Sequence, residues 1–142
     1  MFFTVEKLQD EPIVTVTFNP PVGTFSETAE KSRAIIRQVA ALITGAEERV
    51  YRINDFSRVS IHFDQLCMLM NEECQGRVGS LSDPQVRGVI VGFARTAKMF
   101  REVLSLHCPF VDVLAFTSMD EALDHVRRQL AADTKVSVVT AP

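Results

Sequence analysis

Tryptophan is absent, tyrosine occurs once, and the three cysteines, Cys67, Cys74 and Cys108, follow no ordered spacing. An odd count without a spaced pattern excludes a disulfide framework, so reduced thiols are expected. Cys67, within Leu66–Met70, reads as a small core hydrophobe; Cys74 is flanked by Glu73 and Gln75 and fits a core less well. No apolar run reaches the roughly 20 residues of a bilayer span. Met1–Lys7 has neither a basic lead nor a cleavable apolar stretch, so a cytoplasmic location is expected and no membrane partner. Six glycines and six prolines among 142 residues exclude collagen-like and low-complexity chains. The net charge of −3 lacks the strong basic excess of a general nucleic-acid binder, so no nucleic-acid partner is expected.

What is present is hydrophobic patterning for one α/β domain. Residues 2–8 and 13–18 have strand character; the second run, Ile13-Val14-Thr15-Val16-Thr17-Phe18, follows a turn at Asp10-Glu11-Pro12. The stretch from Asn19 to Gly23 stops that strand, because proline offers no ladder donor. A helix is expected over about 27–44, capped from Thr24–Ser26, with Ile35, Ile36, Val39 and Ile43 on its apolar stripe. A third strand, 50–56, is anchored by Val50, Ile53 and Phe56. A second helix follows over about 62–75, then a polar Gly/Ser-rich loop from Gly76 to Pro84.

The fourth strand, 86–93, contains the continuous run Val89-Ile90-Val91, as a strand covered on both faces requires. The third helix, 94–107, presents Ala97, Phe100, Val103, Leu104 and His107 to the core. A fifth strand, 110–116, leads to a last helix capped by Ser118 or Asp120 and ending near Leu130. Strands alternating with helices imply a mixed, mainly parallel sheet of about five strands with four helices; the opening pair supplies an antiparallel edge. Residues 1–130 form this domain. Residues 131–142 are expected to be a disordered tail or, through Lys135–Val139, an added strand.

The element order, the turn Ile53-Asn54-Asp55-Phe56-Ser57-Arg58-Val59, the segment Gly79–Pro84 with the strand Arg87–Phe93, and the close Val113–Leu123 together resemble the STAS domain. This is the fold of bacterial anti-sigma factor antagonists, and the small stand-alone SpoIIAA-like proteins are the nearest in pattern. The resemblance spans about residues 2–130 and implies a binding module. It does not carry over the phosphorylation switch: the Asp-Ser pair of the antagonists falls at Phe63-Asp64 here. A phosphate would bring about −1.5 to −2 charges, where Asp64 brings a single permanent one.

Ligands of open parallel sheets bind beyond the carboxyl ends of the strands, which places Asp55 and Ser57, with Arg52 close by, at a candidate ligand or partner surface. Asp64, Asp83, Arg87, Gly92 and Arg95 join them; the Gly92–Thr96 turn could offer backbone N–H groups to an anion. The competing reading is structural: Asp55, Ser57 and Asp83 satisfy turn and cap N–H groups. No phosphate-loop or dinucleotide glycine pattern occurs, nor any paired Cys/His metal spacing or nucleophile elbow, so no cofactor, metal or catalytic residue is assigned. The expectation is a non-enzymatic protein-interaction or regulatory module with an unidentified protein partner, able to form a homodimer through an edge strand or an aromatic patch of Phe2, Phe3, Phe25, Phe63 and Phe110. The alternatives are a small-ligand or anion sensor near Asp55 and Gly92, and an enzyme using unrecognised carboxylates.

Overall fold

Thr24 starts the first helix with a reciprocal cap: its hydroxyl accepts the Glu27 N–H at 3.2 Å while the Glu27 carboxylate accepts the Thr24 N–H at 3.3 Å. A computed structural model describes residues 2–21 and 23–140, with side chains except at Phe25 and 134–140. Its elements are β1 (Phe2–Lys7), β2 (Ile13–Asn19), α1 (Phe25–Ile43), β3 (Val50–Asp55), α2 (Phe63–Glu73), β4 (Val86–Val91), α3 (Ala94–His107), β5 (Val113–Phe116) and α4 (Met119–Thr140). Val22, the Phe25 side chain and residues 141–142, each part of an expectation above, lie outside the described residues.

One five-stranded sheet runs in the order β1-β2-β3-β4-β5, with β1 antiparallel to β2 and the remaining pairs parallel. Crossovers of one hand put α1, α2 and α3 on the same face. They bury Ile35, Val39, Leu66, Phe100 and Val103 against Val14, Val16, Val50 and Ile90. On the other face α4 packs Ala122 and Val126 on Ile53, Val89 and Val91. The central strands are therefore apolar on both sides, each fully buried aliphatic side chain contributing about 1.5–3 kcal/mol.

Two polar residues interrupt β3, and both are buried. Arg52, expected on the surface, is 1% exposed. It makes a two-pronged ion pair with Glu73 at the end of α2, Nη1 to Oε1 at 2.8 Å and Nη2 to Oε2 at 2.6 Å. Strand alternation turns Arg52 towards the helices, and Glu73 meets it there. Asn54, also buried, donates to the carbonyls of Arg52 and Val89 at 3.0 and 3.1 Å.

Glu73 also organises the loop that follows it. Its Oε1 accepts the Leu81 N–H at 3.2 Å, and its carbonyl accepts the Ser82 hydroxyl. Gly79, at φ +87°, seats the loop on α1: a Cβ there would stand 2.6 Å from the Ala40 nitrogen. The Gly79 carbonyl accepts from Arg52 at 3.2 Å.

Three expectations are corrected. Cys74 and Cys108 are joined in a disulfide with Cα atoms 5.8 Å apart, tying the C-terminal ends of α2 and α3; only Cys67 is free. The two residues lie 34 apart in sequence, and only the side-by-side packing of α2 and α3 brings them together. Burial, and secondarily the Asp64 charge, pushes the Cys67 thiol up, in keeping with a packing role. His107 is exposed at the end of α3, where the helix stripe has already turned away from the sheet. Residues 131–140 continue α4 rather than forming a strand or loose tail, because Ala131-Ala132 favour helix and no glycine or proline intervenes before Pro142.

Arg127 of α4 grips Glu11 in the β1–β2 turn through Nε and Nη2, at 2.9 and 3.0 Å. The Arg127 hydrogen bonds hold the Glu11 carboxyl below its ordinary value, against a smaller opposing push from burial. A carboxyl depressed in the folded state adds stability that is present above the unfolded value, around pH 4–5, and lost as pH falls through the folded one. The urea midpoint of Glu11→Gln should therefore lie below wild type at neutral pH and converge with it towards about pH 3. A gap independent of pH would contradict this assignment.

Candidate functional site

Phe56 follows directly on β3 and is buried between Phe18, stacked at 4.3 Å between ring centroids, and Phe100 at 5.6 Å. Its N–H donates to the Val91 carbonyl at 2.8 Å. This anchor fixes the path of Ser57–Ile61 over the C-terminal ends of β3 and β4. Opposite runs the start of α3. Between them lies a cleft of about 450 Å³ lined by Ser57, Arg58, Ser60, Phe93, Arg95 and Thr96, with Val59, Ile61 and Met99 forming its apolar part.

No side chain caps the N-terminus of α3, and its first turn carries no acidic residue. The unpaired N–H groups there and the Arg95 guanidinium give this end of the cleft a positive potential. Arg58 reaches back to Asn19 Oδ1 at 3.4 Å. Phe93 is 69% exposed beside these cations. The arrangement can receive an anionic group flanked by apolar surface.

The residues singled out from sequence fall in four places. Ser57 and Arg95 line the cleft together. Asp55 stands beneath it, its Oδ1 accepting the Ser57 N–H at 2.9 Å, which is the turn-forming role. Gly92 lies on the far side of α3, in a smaller open depression with Arg101 and Thr117. Its N–H donates to the Phe116 carbonyl at 3.0 Å, so it is not offered to an anion. Asp64 is exposed in the first turn of α2, where a carboxylate suits the dipole.

Arg52 is removed from any surface by its pairing with Glu73. Asp83 and Arg87 sit at the opposite end of the sheet, before and within the start of β4. Asp83 is engaged as a turn residue, accepting the N–H groups of Gly79 at 2.9 Å and Gln85 at 3.0 Å.

Sequence reasoning missed Arg58, Ser60, Phe93 and Thr96. The polar run after β3 was a usable signal for the first two, since it must cross the strand ends; Phe93 reads from sequence as part of a buried strand. Among the described phenylalanines of the expected patch, Phe2 and Phe63, 62% and 40% exposed, lie towards the cleft end of the sheet, whereas Phe110, 77% exposed, precedes β5 at the other. Phe3 is partly buried against the core.

Among the described residues no cluster of His, Cys, Asp or Glu is arranged to hold a metal ion, and no helix is long and apolar enough to cross a membrane. The family is open: comparison with family models, curated proteins and solved structures found no match to this chain.

Proposed function

We propose that this chain is a non-enzymatic, STAS-like interaction or regulatory module that engages a protein partner through the strand-end cleft. The observation that carries the reading is the juxtaposition of exposed Phe93 with Arg58 and Arg95 on a cleft of about 450 Å³. Aromatic and arginine side chains are the residue types that dominate interface energetics. Affinity capture from lysate of the source organism tests it. One stoichiometric protein should be retained by wild type and lost by both Phe93→Ala and Arg95→Ala. A partner retained equally by all three proteins contradicts the assignment of the surface.

A second reading, a small-anion sensor at the same cleft, is favoured by the uncapped α3 N-terminus beside Arg95. It is distinguished by recovery of a small anion with no protein. Self-association belongs to the same proposal, since the outer edges of β1 and β5 are unpaired within the sheet. Light scattering across a concentration series reads the resulting mass.

The reading places the chain in the cytoplasm. The Cys74–Cys108 bond weighs the other way, because reducing compartments keep such pairs as thiols. Alkylation of thiols in acid-quenched cells, followed by mass analysis, separates the two locations.

A further inference from the structure

The Leu8 N–H donates to the Ile13 carbonyl at 2.9 Å, and the β1–β2 register runs unbroken from there to Phe2 opposite Asn19. Antiparallel alternation then turns the backbone groups of Phe2, Thr4 and Glu6 towards β2, and those of Phe3, Val5 and Lys7 outwards. Among the described residues no strand lies on that outward side. The usual guards of an edge are missing: β1 has six regular residues, with no proline and no bulge. Its lysine, Lys7, is folded back onto the Leu8 and Glu11 carbonyls at 3.2 and 2.8 Å. The other edge, β5, has only four residues, a length that itself limits pairing.

The side chains along this edge fit a second copy of the chain. A two-fold axis at Thr4 sets Phe3 opposite Val5 of the copy and Val5 opposite its Phe3, so each outward pair exchanges two backbone hydrogen bonds. Both residues are half-buried on the α1 face, so the cross-strand pairs are apolar. Centring on Val5 would instead oppose Phe3 to Lys7. Beside β1 on the same face runs an open groove lined by Phe3, Glu30, Lys31, Arg33, Ala34 and Arg37. Lys31 stands over the Phe3 ring at 5.8 Å; Ala34, one turn on, comes about level with Thr4, where a small side chain leaves room at the axis. Arg33 is held by Glu72 at 2.9 Å. Glu30 and Arg37, exposed towards the two ends of the groove, have no ion pair among the described residues. The two-fold lays the two α1 helices antiparallel and brings Glu30 of each copy to Arg37 of the other, the self-complementarity that an isologous contact requires. We propose that the chain forms a two-fold dimer through β1, continuing the sheet across Thr4 and pairing Glu30 with Arg37 reciprocally. This dimer rests on the self-association proposed above and fixes its edge and register.

Sedimentation velocity of the full chain tests it. One strand and one helix flank make a small interface, so the dimer should dissociate in the range of about 1–100 µM. Thr4 is exposed, and Thr4→Lys sets two like charges face to face on the axis without touching the core; it should weaken association by about fivefold or more. Glu30→Arg and Arg37→Glu should each weaken it by about threefold or more, and the two together should restore it. Thr4→Cys should yield a covalent dimer under a mild oxidant, because non-hydrogen-bonded residues on the axis bring their Cα atoms to about 4.5 Å. Glu6→Cys, on the same exposed face but away from the axis, should not. A chain that stays monomeric throughout overturns both this dimer and self-association itself. A dimer indifferent to Thr4→Lys and to the charge reversals, or cross-linked equally by Glu6→Cys, overturns the β1 contact alone and leaves self-association to another surface.

Discussion

Glu73→Ala should destabilise the protein by about 3–5 kcal/mol, the range for removing one partner of a buried ion pair. The Arg52 and Glu73 side chains are 1% and 5% exposed, so water cannot replace the lost carboxylate. The same substitution strands the Leu81 N–H, which donates to Glu73 Oε1. A domain of this size has about 5–15 kcal/mol in total, so the variant should be partly unfolded or melt near working temperature. The effect belongs to the pair. Replacing both residues with apolar ones, Arg52→Met with Glu73→Leu, should recover much of the loss, because the desolvation cost of the two charges disappears with them. Urea denaturation of the wild type, the single variant and the double variant measures all three. A single variant within about 1 kcal/mol of wild type would show that the pair is not buried as described.

Reduction of the Cys74–Cys108 bond should have the next largest effect. The bond closes a loop across a sequence separation of 34 and pins the ends of α2 and α3. Loop-closure entropy for a ring of this size, with measured disulfides as a guide, puts the contribution at about 2–4 kcal/mol. Melting should fall on the order of 10 °C when reductant is added. Reduction of the wild type is the cleaner test, because Cys108 is fully buried and truncating it would also leave a cavity. The Cys74→Ala, Cys108→Ala double variant should be insensitive to reductant. Equal melting with and without reductant in the wild type would contradict a bond at these positions.

These two features mark where the sequence was silent. Local patterns were legible because they depend on neighbours: the Thr24 cap, the turn before Ile13, the strand Val89–Val91 and the limits of α3 each follow from residues within a few positions. The mixed sheet and its antiparallel first edge followed from the alternation of elements. Arg52 defeated the same reasoning. A charged residue in a strand reads as surface unless its partner is known, and Glu73 lies 21 residues away on another element. The cysteine pair is the same kind of miss, since an odd count hides a single bond. The C-terminal helix beyond Leu130 shows continuation of an established helix overriding the strand propensity of Val136–Val139.

The candidate site was half legible. Strand-end logic pointed to Ser57 and, through the α3 start, to Arg95, and the two do line one cleft. It also swept in Asp83 and Arg87, although they precede and open β4 and so, in a parallel sheet, stand at the end opposite the carboxyl ends of the strands. Their end of the sheet has its own shallow cleft, lined in part by Arg49, Asp83, Arg87 and Phe110.

The central claim is that a partner sits on the strand-end cleft. The most direct measurement is hydrogen exchange on the chain alone and in complex with its captured partner. Slowed exchange should concentrate in the loop 57–61 and the first turns of α3, residues 93–99. Protection elsewhere, with those two segments unchanged, would contradict the account.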